Sequence, residues 1–146
     1  MNHPLPEAFL SRIQNESFPG LQLIQALDTP SPVSVRFHPK KQKPDFEIRG
    51  QVSWCEAAVY LNERPQYVFD PLFHAGAYYP QEAGSMVLDS VLRQLNLATE
   101  PKVLDLCAAP GGKSTLIASF LDNKGMLVAN EVIQQRARIL KENLTK

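Results

Sequence analysis

At 146 residues the chain is long enough for one ordinary domain or two small ones. Its 15 Lys and Arg balance 15 Asp and Glu, so global charge gives no support for nucleic-acid binding and any basic surface has to be local. No apolar run approaches the ~20 residues of a membrane span, Met1-Asn2-His3-Pro4 lacks the regions of a signal peptide, and Cys55 and Cys107 give no disulfide framework; a cytoplasmic protein is expected.

The N-terminal part reads as a small α+β domain. From Pro6 to about Phe18, Phe9, Leu10 and Ile13 fall at helical spacing; Leu21, Leu23, Ile24 and Leu27 suggest a second short helix before Asp28-Thr29-Pro30. Val33, Val35 and Phe37 alternate with Ser34 and Arg36, the pattern of a half-buried strand. Arg36, His38, Lys40, Lys41, Lys43 and Arg49 then cluster, opposed only by Asp45 and Glu47, and Pro39 and Pro44 make the stretch an exposed loop. Such a loop is either simply solvated or a set of phosphate contacts. Val52, Trp54, Ala58, Tyr60 and Leu61 mark further extended structure. The chain divides near residue 70.

Beyond the division Tyr78-Tyr79-Pro80-Gln81 is expected to be extended. Leu88, Val91, Leu92 and Leu95 predict a helix over 85–97. A strand over Lys102–Leu106, a helix over Ser114–Leu121 and a strand over Gly125–Ala129 form a βαβ unit. Ile133, Ala137, Leu140 and Leu144 supply the apolar face of a last helix.

The βαβ unit carries the chemistry. Its first strand runs into Pro110-Gly111-Gly112, and its second ends at Asn130-Glu131, about twenty residues after the glycines. Strand, glycine turn, helix, strand and acid make the layout of a nucleotide-type site in a doubly wound sheet. Glycines let a ligand approach the backbone, amides at the helix start receive a carboxylate or phosphate, and the acid accepts from ribose hydroxyls. Gly112-Lys113-Ser114 fits the end of a phosphate-binding P-loop, but Cys107 stands where that motif needs its first glycine. Ala108-Ala109-Pro110-Gly111-Gly112 does not supply the Gly-x-Gly-x-x-Gly of a dinucleotide site. S-adenosylmethionine needs only a close backbone approach and an acid for its ribose.

Each residue singled out has a plainer reading. Cys107 is a small side chain inside the loop before it is a nucleophile, and Cys55 beside Trp54 is a buried small hydrophobe. Lys113 opposes the helix dipole, which points to an anionic partner or to simple exposure. Glu131 is either the ribose acid or an ordinary first-turn carboxylate. Tyr78 and Tyr79 either stack on a base or pack against the sheet. His3 and His74 have no metal-ligand spacing, and no metal is expected.

Asp105-Leu106-Cys107-Ala108-Ala109-Pro110-Gly111-Gly112-Lys113-Ser114 resembles the cofactor loop of the RNA cytosine-C5 methyltransferases, which modify rRNA and tRNA. His74-Ala75-Gly76-Ala77-Tyr78-Tyr79-Pro80-Gln81-Glu82-Ala83-Gly84-Ser85-Met86 resembles the segment that precedes that loop in the same family. The likeness covers 68–146 well and 1–67 only in general character; bacterial rRNA enzymes look most similar.

The resemblance implies an α/β fold: a small RNA-binding-type α+β domain over 1–70, then over 71–146 the first half of a Rossmann-like S-adenosylmethionine-dependent methyltransferase sheet. It implies S-adenosylmethionine held by Cys107, Ala108, Ala109, Pro110, Gly111, Gly112, Lys113 and Glu131, and RNA, most simply rRNA, contacted by Arg36, Lys40, Lys41 and Lys43. In the family a cysteine thiolate adds to cytosine C6, which makes C5 nucleophilic enough to take the methyl group. That cysteine and a second one stand in Pro-Cys and Thr-Cys motifs downstream of the loop, and neither dipeptide occurs here. The chain is therefore expected to be an N-terminal part of the enzyme, with the nucleophile beyond Lys146 and with a tendency to self-associate through unpaired strands. A tRNA enzyme of the same family, a non-catalytic RNA-binding module and a P-loop-like hydrolase are the other readings.

Overall fold

The structure, a computed structural model, describes residues 5–16 and 19–146. It falls into two compact units, Met1–Pro32 and Val33–Lys146. In the first, helix α1 (Glu7–Gln14) packs with helix α2 (Gly20–Leu27). Glu7 in the first turn of α1 and Arg12 in its last suit the helix dipole, and Ile13 is the buried residue of the helix. The helix expected to reach Phe18 stops at Gln14, where the Asn15 and Glu16 amides bond back to Arg12 and Ile13. Ser17 and Phe18, like His3, lie outside the described residues.

The second unit opens with an antiparallel sheet of strands β1 (Val33–Phe37), β2 (Ile48–Gln51), β3 (Ala58–Leu61) and β4 (Tyr78–Pro80), in the order β2-β3-β1-β4. Alternation places Val35, Phe37, Val59, Leu61 and Tyr78 on one face, where Phe46, Tyr67 and Phe73 pack on them. The short helix α3 (Pro71–His74) starts at Asp70, whose side chain accepts from the Leu72 amide at 2.8 Å and from the Tyr78 hydroxyl at 2.6 Å. The sequence reading divides the chain near residue 70; β4 lies past that point and pairs with β1 before it, Phe37 opposite Tyr78.

The expected half-buried β1 is instead buried on both faces from Ser34 to Phe37. Its polar face is covered and satisfied. Ser34 Oγ donates to the Gln81 carbonyl at 2.6 Å, and the Arg36 guanidinium donates to Gln81 Oε1 at 3.0 Å and Thr115 Oγ1 at 2.7 Å.

Helix α4 (Val87–Gln94), entered through a 3-10 turn at Gly84–Met86, is followed by β5 (Lys102–Asp105), α5 (Gly112–Leu121), β6 (Met126–Ala129) and α6 (Gln134–Thr145). Helix α4 ends three residues short of the expected Leu97, and Leu95 turns extended with Val91 and Leu95 left exposed. Strands β5 and β6 pair in parallel, Val103 opposite Leu127 and Asp105 opposite Ala129, with α5 as the crossover that parallel pairing requires. Gly125 starts the return with φ +87°, and a Cβ there would stand 2.1 Å from the Pro101 carbonyl oxygen, so only glycine fits.

Leu116, Ile117 and Leu121 of α5 join Met86, Leu92, Ala58, Val52 and Cys55 in the second core, with Val103 and Leu127 packed against it. Burying a side chain such as Leu116 contributes about 1.5–3 kcal/mol. The opposite face of β5 and β6 is bare: Leu104, Met126 and Val128 are 58%, 54% and 50% exposed.

Candidate cofactor and RNA sites

Strand β5 delivers Asp105 to the foot of the glycine loop, and the fold locks it from both sides. Ser114 Oγ on the first turn of α5 donates to Asp105 Oδ2 at 2.7 Å, and the Asn130 amide donates to the Asp105 carbonyl at 2.8 Å. The Ala108 amide returns a bond to the Asn130 carbonyl at 2.9 Å, and Asn130 Nδ2 donates to the Leu106 carbonyl at 3.0 Å. The ends of the two strands and the start of the loop are therefore one hydrogen-bonded piece.

Within the loop Cys107 and Pro110 are exposed, Ala108 and Ala109 are buried against Leu140 of α6, and the Ala109–Pro110 peptide is cis. Gly111 adopts φ +116° as the residue before α5. A side chain there is strained by the backbone alone, and its Cβ would meet Asn143 at 3.3 Å and Leu140 at 3.4 Å. No side chain caps α5. Its first amides are thus left for a ligand, since the opening turn of a helix has no internal acceptors for them. Lys113 is exposed on that turn.

Glu131 follows β6. Its side chain is only 5% exposed, its Oε1 accepts from the Ile133 amide at 3.0 Å, and its Oε2 lies 3.6 Å from the Arg136 guanidinium. The same guanidinium donates to the Ala109 carbonyl at 2.6 Å, and Asn143 Nδ2 donates to the Pro110 carbonyl at 2.8 Å. Glycine loop and acid are thus brought together through α6.

Arg136 and Asn143 lie outside the apolar stripe by which the sequence marks α6. Of Ile133, Ala137, Leu140 and Leu144, only Leu140 is buried. The side that faces the loop is Arg136, Leu140 and Asn143, spaced i, i+4 and i+7, and that helical spacing was the available signal.

The expected RNA contacts separate. Arg36 is corrected: at 4% exposure, with its guanidinium spent on Gln81, Gly112, Thr115 and Ser119, it braces β1 against α5 and presents no charge to solvent. Its position on the inward face of a covered strand is the reason. Lys40, Lys41 and Lys43 follow in the loop after β1. Lys40 pairs with Asp122, Lys41 donates to the Ala75 carbonyl at 2.6 Å, and Lys43 lies over the Phe37 ring at 5.4 Å. Lys40 and Lys43 are exposed and Lys41 is half-buried. Burial holds the His38 imidazole below its ordinary value, and the positive charges of Lys41, Arg36 and Lys40 push it the same way.

Beside them a cavity of about 230 Å³ is lined in part by Arg36, His38, Lys40, Tyr79, Thr115 and Ser119. It touches no loop residue from Cys107 to Lys113; a more open cavity of about 380 Å³ is lined instead by Asn130, Glu131 and Leu140 at the end of β6. Tyr78 is buried, which removes it as a stacking platform; Tyr79 is half-buried. His74 is exposed, with Nε2 2.8 Å from the Val68 carbonyl.

Residues 5–83 match the family model described as the N-terminal domain of 16S rRNA methyltransferase RsmF, and residues 92–146 match that of 16S rRNA methyltransferase RsmB/F. The ribosomal RNA small subunit methyltransferase F of Vibrio parahaemolyticus is 34% identical over 99% of this chain and 34% of its own length. That of Pectobacterium carotovorum subsp. carotovorum is 41% identical over 65% of this chain and 20% of its own. The chain spans about a third of the length of the curated relatives that match nearly all of it. The solved structure of a methyltransferase homolog protein from Pyrococcus horikoshii superposes with a TM-score of 0.70 at 24% identity, covering 97% of this chain and 53% of that one, and shares its fold. Mixed α/β architecture, glycine loop and both matched segments agree: the chain belongs to the family of the N-terminal domain of 16S rRNA methyltransferase RsmF, continued by a segment that matches RsmB/F.

Proposed function

We propose that this chain carries the S-adenosylmethionine loop and an RNA-contacting region of an enzyme that methylates cytosine C5 in rRNA. The observation that carries the reading is the uncapped start of α5 behind Gly111, with the glycine loop tied through Arg136 to the carboxylate that follows β6. These residues suit the cofactor. The left-handed Gly111 lets a ligand reach the backbone, the opening amides of α5 are donors for its carboxylate, and Glu131 has acceptor lone pairs beyond its two partners for ribose hydroxyls. Cys107, Ala108, Ala109, Pro110, Gly111, Gly112 and Lys113 form the wall, and Glu131 fixes the ribose. Bound there, S-adenosylmethionine supplies an electrophilic methyl group. The family's Pro-Cys and Thr-Cys motifs do not occur in this sequence, so the chain's own part is to hold and orient. Lys40, Lys41 and Lys43 meet the RNA backbone, and residues 1–70 with 71–146 divide RNA contact from cofactor binding.

Calorimetric titration with S-adenosylmethionine and with ATP tests the reading. S-adenosylmethionine is expected to bind and ATP not to. Glu131→Ala should weaken binding by about 1.5–3 kcal/mol, the range for a hydrogen bond to a charged group. Preference for ATP, or unchanged affinity in the variant, overturns the assignment.

A further inference from the structure

The glycine loop is held in part from outside itself. Two successive carbonyls, those of Ala109 and Pro110, are gripped by side chains of α6, at 2.6 Å by Arg136 and at 2.8 Å by Asn143. The Pro110–Gly111 peptide is trans, and a planar trans peptide points its N–H opposite to its C=O. Asn143, by drawing the Pro110 carbonyl towards α6, therefore turns the Gly111 N–H away from α6. Gly111 is buried, and its N–H finds no acceptor among the described residues. Buried amides are nearly always paired, so an open one beside a glycine loop points to an external acceptor. Arg136 does a second thing. The guanidinium that holds the Ala109 carbonyl also stands 3.6 Å from Glu131 Oε2, on a carboxylate that is 5% exposed. One rigid planar group thus spans the loop and the acid and sets the distance between them.

We infer that Arg136 and Asn143 are positioning residues for the cofactor: Asn143 aims the Gly111 amide, and Arg136 fixes the reach from the loop to the ribose acid Glu131. The inference rests on the S-adenosylmethionine reading above. It assigns α6 a part in ligand recognition that its exposed, mostly polar surface conceals. The two residues act differently. Asn143 works through the loop whatever the ribose carries, whereas Arg136 works through Glu131 and so through the ribose hydroxyls.

The test is calorimetric titration of the 146-residue chain with S-adenosylmethionine and with its 2′,3′-dideoxyribosyl analogue. Asn143→Asp keeps the shape but cannot donate to the Pro110 carbonyl; it should weaken both ligands alike, by about 5- to 10-fold. Arg136→Ala should weaken S-adenosylmethionine about 10-fold and the analogue far less. Its effect should shrink in the same way in a Glu131→Ala background. Arg136→Lys, which keeps the charge beside Glu131 without a planar fork, gives the same readout if the alanine variant fails to fold. A purely structural role for Arg136 lowers both ligands equally and adds to Glu131→Ala, and that outcome overturns its assignment. Unchanged affinity in Asn143→Asp overturns the other. If wild type binds and Glu131→Ala weakens it while the α6 variants do not, only this inference falls. If wild type binds no S-adenosylmethionine, the reading beneath it falls too.

Discussion

His38 stands at the end of β1, half-buried among cations. Burial comes first in lowering its pKa, followed by Lys41, Arg36 and Lys40. The folded chain thus prefers the neutral ring, while the unfolded chain takes up a proton near the ordinary value of 6.5. Below that value the unfolded state binds more protons, so stability rises with pH and falls as pH drops through 6.5 towards the depressed folded value. The expected result is a urea midpoint that declines from pH 7.5 to 5, with His38→Gln showing a shallower decline. Parallel profiles for the two chains would remove His38 as the cause. Arg36 belongs to the same scale. Its charge was legible in the sequence, but its burial was not, because a strand's polar positions are exposed or covered according to what packs above them. Here α5 covers them, and Gln81, Thr115 and the Gly112 carbonyl supply the partners.

The loop after β1 is an element whose composition fits either simple solvation or phosphate contact, and with Arg36 buried three lysines carry the proposal of RNA contact. Without Arg36, the cations proposed to meet RNA are Lys40, Lys41 and Lys43, and each already has a partner within the chain. The Lys40–Asp122 pair is more than half exposed on both sides, so it costs little to open. Each lysine that neutralises a phosphate should steepen the fall of log K with log salt by roughly 0.7–0.9. The triple variant Lys40→Ala, Lys41→Ala, Lys43→Ala is expected to flatten that slope by roughly 2.1–2.7 in filter binding to an rRNA fragment, while Arg36→Met leaves it as it was. A wild-type slope in the triple variant rules the loop out. Helix α6 shows the same limit from the other side: its span followed from periodicity, but its working face is Arg136, Leu140 and Asn143 rather than the apolar stripe.

On the scale of the molecule, the parallel pair leaves one apolar face bare. Leu104, Met126 and Val128 stand on it, and Leu106, 64% exposed, continues it past the end of β5. Among the described residues the pair has an open edge on each side. Apolar area with unpaired backbone groups favours pairing with another copy. Mass measured by light scattering should therefore rise with concentration in the micromolar range, and Leu104→Lys should suppress the rise without altering S-adenosylmethionine affinity. A wild-type chain that stays monomeric at high micromolar concentration sinks this expectation. No helix among the described residues is long and apolar enough to cross a membrane.

Local patterns determined much of this protein. Helical spacing marked the two N-terminal helices, α4 and α6; alternation marked β1; the glycine turn between two apolar runs located the βαβ unit to within two residues of β5, α5 and β6. The loop and the acid after β6 were legible because both are set by neighbours in sequence: a turn needs its glycine, and a strand end needs only to be found. What joins them was decided by tertiary structure alone. The pairing of β4 with β1 crosses 40 residues of chain, from Phe37 to Tyr78, and no local pattern encodes a partner at that distance. The burial of Arg36, the turn of Glu131 towards Arg136 and the grip of Asn143 on Pro110 depend on which helix lies above which loop. That depends on how the apolar faces close together, a property of the packed chain and not of any stretch of it.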